Sequence, residues 1–150
     1  MIENKEFYKI SSPTQNLFDS KVELLSSVNE LFELELAYLE YNCVPKSDLL
    51  ERLAYFKSVD GRLTKHFLMY NHTTKALTDN RSASTKAYFE NGQFSTGYAS
   101  HSLFPYRGKF HPQLIKGLLN IIGIKKGDLI LDPMCGSGTT NIETAMMVIN

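Results

Sequence analysis

The sequence predicts an α/β chain, in which a helical N-terminal region leads into the first strand–turn–helix unit of a parallel sheet. Three observations predict this. Apolar residues recur at spacings of three and four over much of residues 21–57. Aliphatic residues nearly vanish between Asn71 and Ser100, where Thr, Ser, Asn and Gly abound. An apolar run, Leu129 to Leu131, is followed by Pro133, Gly136 and Gly138 and then by a second helical stretch. A short apolar run reads as a buried strand, and proline ends it. Glycine permits positive φ and lets a ligand approach the main chain. Strand, glycine turn and helix N-terminus together are how an α/β sheet builds a site for a nucleotide-like ligand.

In chain order, residues 1–20 are polar, broken by Ser11-Ser12-Pro13, and read as a flexible lead-in. Asp19 or Ser20 is placed to cap a helix from Lys21 to Tyr41. Its stripe is Leu25, Val28, Phe32, Leu36 and Leu39, widened by Leu24, Leu31, Leu34 and Tyr38. Ser26, Asn29, Glu30, Glu33 and Glu40 fall on the opposite side, whereas Glu35 falls inside the apolar arc and needs a partner or a route to water. Val44-Pro45 ends this helix, and Ser47 or Asp48 caps a second one, Leu49 to Lys57. The two should form a helical hairpin closed at Asp60-Gly61. Arg62 to Tyr70 reads either way, with Leu63, Phe67 and Met69 sharing a strand parity. Asn91-Gly92 signals a β-hairpin within the long polar loop. Pro112 suits the first turn of a helix from His111 to Ile122, which Gly123 ends. The chain thus divides into a lead-in (1–20), a helical region with a polar loop and hairpin (21–100) and an incomplete βα unit (101–150).

Two common nucleotide fingerprints fail. Asn141 stands where G-x-G-x-x-G needs its third glycine, and no lysine follows Gly138 as a phosphate loop requires. What remains is Asp132-Pro133-Met134-Cys135-Gly136-Ser137-Gly138-Thr139-Thr140 after an apolar strand. This string resembles motif I, D-P-F-x-G-S-G-T-T, of the S-adenosylmethionine-dependent DNA methyltransferases that modify the exocyclic amino nitrogen of adenine or cytosine. Met134 replaces the usual phenylalanine and is apolar and adaptable enough to do so. Upstream, the segment from His101 to Pro112 is similar to that family's H-x-x-H-P-Y-x-x-K-F-x-P, with Phe104 in place of the second histidine.

The resemblance covers residues 98 to 150 and implies a Rossmann-like methyltransferase sheet with S-adenosylmethionine as cofactor. Carried over position by position, it implies cofactor contacts from Tyr106, Lys109, Phe110 and Pro112, and from Asp132, Pro133, Met134, Cys135, Gly136, Ser137, Gly138, Thr139 and Thr140. Asp132 would lie near the sulfonium. The family flips its target base out of double-stranded DNA and holds it with a second motif, [DNS]-P-P-[YFW]. None of Pro13, Pro45, Pro105, Pro112 and Pro133 is followed by another proline, so that motif is absent here and no catalytic residue is assigned. The chain therefore reads as the N-terminal part of such an enzyme: a truncated product, half of a split enzyme or an excised fragment, completed by a complementary chain or C-terminal portion. A non-catalytic module that binds DNA or an adenosyl ligand, and part of a related RNA methyltransferase, stay open beside this.

Composition agrees with an ordinary globular chain. The hydrophobic and charged fractions are 43% and 21%, and the formal net charge is zero, which excludes a strong whole-chain field toward nucleic acid. Charge is unevenly spread: residues 1–60 carry 6 basic and 11 acidic side chains, and residues 61–150 carry 10 and 5. The basic half allows either a DNA-facing surface or ordinary variation. Cys43 and Cys135 have no metal-ligand spacing, His66 and His72 have no partners in sequence, and no metal site is assigned. Two lone cysteines, no signal segment and no membrane-length apolar stretch suggest a cytoplasmic protein.

Overall fold

The computed structural model describes residues 14–69, 101 and 108–148. The Asn91-Gly92 hairpin, the polar loop and Tyr106 lie outside the described residues. Residues Thr14–Leu17 form a 3-10 turn. Strand β1 (Val22–Leu24) pairs antiparallel with β2 (Phe56–Val59), which pairs antiparallel with β3 (Arg62–Leu63). Between β1 and β2 lie helix α1 (Leu31–Cys43) and the single turn α2 (Leu49–Arg52). A short helix α3 covers residues 65–69. Helices α4 (Pro112–Ile121) and α5 (Thr139–Val148) follow. Helix plus a small sheet is α/β in content.

The N-terminal half departs from the expected helical hairpin. Val22 to Leu24 is β1 rather than part of the first turn of a helix, and α1 starts at Leu31, where Glu33 folds back to accept the Glu30 backbone N–H at 3.0 Å. The second predicted helix stops at Arg52, because Phe56–Val59 pairs with both β1 and β3. Asp60 and Gly61 both take positive φ, +50° and +76°. That is the two-residue turn whose twist suits adjacent antiparallel strands, so the turn closes a β-hairpin and not a helix pair.

Starting α1 ten residues late also changes which face is buried. Leu36, Ala37, Glu40 and Tyr41 point inward, while Phe32 is 58% exposed and Leu31, Tyr38 and Leu39 are exposed with it. Glu35, expected in the apolar arc, faces solvent, and Glu40, expected outside, is fully buried. The core is built from Phe18, Val22, Tyr41, Leu53, Phe56 and Val59. Phe18 meets the edges of Tyr41 and Phe56 at centroid distances of 5.1 and 5.4 Å, the tilted geometry aromatic rings favour. Residues 14–20, expected within the lead-in, thus contribute Phe18 to the core, and Asp19 accepts from the Tyr41 hydroxyl and from Lys46 Nζ at 2.6 Å.

Helix α4 forms where the sequence places it. Pro112 begins it, needing no N–H partner there. Gly123 ends it at φ +77°, with Gly123 N–H bonded to Asn120 O and Ile124 N–H to Leu119 O, both at 3.1 Å. This paired closure needs a left-handed residue, which glycine supplies without steric cost. α4 packs against both α1 and α5. At Gly117 an added Cβ would lie 2.5 Å from a Tyr55 ring carbon, so glycine is what lets α4 sit on that ring.

The predicted strand at Leu129 to Leu131 is not a strand here. It has no ladder, and Leu129 and Leu131 are 100% and 88% exposed. A strand needs a neighbour to satisfy its backbone. The described sheet, β1–β2–β3, is antiparallel and made of other residues, so a Rossmann-like sheet is not formed among the described residues.

Candidate functional site

The glycine turn itself is formed. Asp132 Oδ1 accepts the Met134 N–H at 3.1 Å, and Gly138 N–H returns to Cys135 O at 2.7 Å. Gly136 and Gly138 adopt φ +50° and +76°, values a side chain strongly disfavours. Ile142 N–H bonds to Gly138 O at 2.9 Å, so α5 grows directly out of the turn. Nothing lies within 4 Å of where a Gly138 Cβ would be, leaving the main chain open to an approaching group. The Ser137 Oγ and Thr139 Oγ1 atoms are shielded from solvent and have no hydrogen-bond partner among the described residues. Buried hydroxyls normally have one. A helix N-terminus, an open glycine and two unsatisfied hydroxyls fit a polar ligand lying along the turn.

The other candidates are placed as follows. Asp132 and Thr140 are half-buried at either end of the turn, and Thr140 O accepts the Thr144 hydroxyl at 2.7 Å. Pro133, Met134, Cys135 and Gly136 are exposed, as is Phe110. Pro112 is buried as the first residue of α4. Lys109 directs its ammonium to the His101 carbonyl. That is a structural tie among the described groups.

Sequence reasoning missed the group that carries this tie. His101 Nε2 lies 2.8 Å from Glu143 Oε1, and both side chains are buried. Glu143 sits on α5, one turn beyond Thr139, so the pair fastens the start of the His101-to-Pro112 segment to the helix that leaves the glycine turn. The signal was faint: one acidic residue in an otherwise uncharged helix. Next to it, α2, α3, α4 and α5 enclose a cavity of about 30 Å³ lined by Lys116, His66, Glu143, Met69 and Met146 among others. It has room for about one water. Burial lowers the Lys116 ammonium pKa against the pull of Glu143, and burial holds the His66 imidazole well below its usual range. Among the described residues no cluster of three or more His, Cys, Asp or Glu is placed to hold a metal ion, and no helix is long and apolar enough to cross a membrane.

A family model falls on this same segment. Residues 102–150 match the family of RMKL-like methyltransferase domains (UPF0020). Type II methyltransferase M.BsoBI of Geobacillus stearothermophilus is 38% identical over 58 residues, 39% of this chain and 11% of that protein. Type II methyltransferase M.MjaII of Methanocaldococcus jannaschii is 46% identical over 50 residues, 33% and 9%. The tRNA (guanine(10)-N2)-dimethyltransferase of Methanothermobacter thermautotrophicus is 46% identical over 44 residues, 29% and 13%. The matched stretch thus spans about a tenth of these relatives' length. No solved structure matches the chain.

Proposed function

We propose that this chain, whose residues 102–150 match a methyltransferase domain family, supplies the S-adenosylmethionine-binding turn of an enzyme that methylates the exocyclic amino nitrogen of adenine or cytosine in DNA. The observation that carries the reading is the turn from Asp132 to Thr140, with two left-handed glycines, an open main chain at Gly138 and unsatisfied Ser137 and Thr139 hydroxyls. The bound cofactor supplies an activated methyl group. The chain's own part is to bind and orient: the backbone N–H groups of Gly136, Ser137 and Thr139 and the two hydroxyls are the donors, and Asp132 offers a carboxylate to a positively charged centre. A target base has no such holder within residues 1–150, because the proline-pair motif is absent. Transfer requires both reactants at contact distance and in line, so activity requires further sequence carrying that motif, in the same chain or in another.

A second reading, methylation of RNA, is favoured by one observation, the likeness to a tRNA (guanine(10)-N2)-dimethyltransferase over 44 residues. Both readings use an exocyclic amino group and the same cofactor. Titration calorimetry with S-adenosylmethionine tests the shared part. Gly138→Val should abolish binding, whereas Gly61→Val, at the same φ but in the β2–β3 turn, should retain it. Equal affinities in both variants would remove the turn from the site. Tritiated-methyl transfer by the complemented chain to duplex DNA or to tRNA then separates the two substrates.

A further inference from the structure

We propose that Arg52 is a positioning residue for the glycine turn, acting through the connection between α4 and Leu129. The inference rests on the cofactor reading above, but its geometry lies elsewhere in the molecule. Arg52 Nε donates to Asn120 Oδ1 at 3.0 Å, and its Nη2 donates to the Ile124 carbonyl at 2.7 Å. Asn120 answers by donating Nδ2 to the Arg52 carbonyl at 2.9 Å and to Glu40 Oε1 at 2.6 Å. A planar guanidinium holds two acceptors in fixed relative positions, which a lysine ammonium does not.

The acceptor at Ile124 is what gives this network reach. Ile124 closes the α4 C-terminus through its N–H and begins the link to the turn. The next residues are locked in turn: Asp128 Oδ2 accepts the Lys125 N–H at 2.7 Å, and Asp128 N–H returns to Lys125 O at 3.1 Å. From Glu40 to Ile124 these hydrogen bonds are buried or half-buried, and they lead along the chain into the exposed Lys125–Asp128 turn. Beyond Asp128 the run Leu129 to Leu131 has no ladder of its own. The direction in which the chain enters Asp132 is therefore set upstream, at the Arg52 fork, as well as downstream by α5. On this geometry the N-terminal region aims the cofactor turn.

The test uses the whole chain. Hydrogen–deuterium exchange of the amides from Ile124 to Gly138 is followed without ligand in wild type, Arg52→Met, Arg52→Lys and Val59→Ala. The last is a core deletion on β2 outside the linkage, and separates positioning from general loss of stability. Arg52→Met should speed exchange over this segment on the order of tenfold and raise the dissociation constant for S-adenosylmethionine by about as much. Arg52→Lys should fall between, and Val59→Ala should leave both near wild type at temperatures where it is fully folded. Exchange over Ile124 to Gly138 that is unchanged in Arg52→Met, or raised equally by Val59→Ala, overturns the proposal. If exchange changes as expected but wild type fails to bind S-adenosylmethionine, the positioning role stands and the cofactor reading is what falls.

Discussion

Replacing Glu40 by alanine removes the acceptor for three donors at one point in the core. Its carboxylate accepts the Ala54 N–H at 2.9 and 3.0 Å, the Tyr55 N–H at 3.3 Å and Asn120 Nδ2 at 2.6 Å. Ala54 and Tyr55 lie between α2 and β2, where neither helix nor ladder satisfies their N–H groups. An unsatisfied buried donor costs about 1–3 kcal/mol. Two of them, offset by no longer burying a carboxylate, put Glu40→Ala at about 3–5 kcal/mol, the usual cost of breaking a buried charged network. Glu40→Gln keeps one acceptor oxygen and turns an amide toward a donor, so it should lose less. Burial pushes the Glu40 carboxyl up to about 7, against the Asn120 and backbone hydrogen bonds and the nearby Lys116 ammonium.

The sign follows from that shift. Between the ordinary carboxyl range near 4.5 and about 7, the folded chain holds a proton that the unfolded chain has lost. Stability from this group is therefore full below that window and falls as pH rises through it, by about 3 kcal/mol in all. His66 acts oppositely: its folded form stays neutral where the unfolded form protonates, so its contribution is lost as pH falls below 6.5. Comparing wild type with Glu40→Gln isolates the first effect. In urea denaturation, Glu40→Gln should gain about 2–3 kcal/mol relative to wild type between pH 5 and pH 7.5. A difference that does not change with pH would refute the titration argument. A loss below about 1 kcal/mol in Glu40→Ala would refute the acceptor role.

Leu36→Ala should cost about 2–5 kcal/mol in the same assay, while Phe32→Ala, at an exposed position, should stay within about 0.5 kcal/mol. Equal losses would mean that the assigned face of α1 is wrong. Gly117→Ala should destabilise by about 1–3 kcal/mol, because the new methyl meets the Tyr55 ring; a stabilised variant would show that the ring yields easily. The chain alone should transfer no methyl group to mixed-sequence DNA, and transfer should appear when a polypeptide carrying the missing motif is added. Robust transfer by the chain alone, lost in Gly138→Val, would reveal a catalytic site within residues 1–150.

Local chemistry was legible wherever a residue's role depends on its own backbone. Pro112 and Gly123 mark the ends of α4 because one lacks an N–H and the other tolerates positive φ. Gly136 and Gly138 mark the turn for the same reason, and Asp132 to Thr140, with the His101 to Pro112 segment, carried the family likeness. Asp60-Gly61 was legible as a turn but not as a hairpin, since its strands find partners far away in sequence: Val22 lies opposite Val59. Periodicity over 21–41 showed an amphipathic segment but misplaced the start of the helix. At 100° per residue, that left the inward face undetermined. Only tertiary structure decided that Glu40 is inside, because its donors come from Ala54, Tyr55 and Asn120, 14, 15 and 80 residues away. A carboxylate in a helix reads as solvent-facing until such donors converge on it. For the same reason, the apolar run from Leu129 to Leu131 specified a readiness to form a strand, while the strand itself required a neighbour that the described residues do not supply.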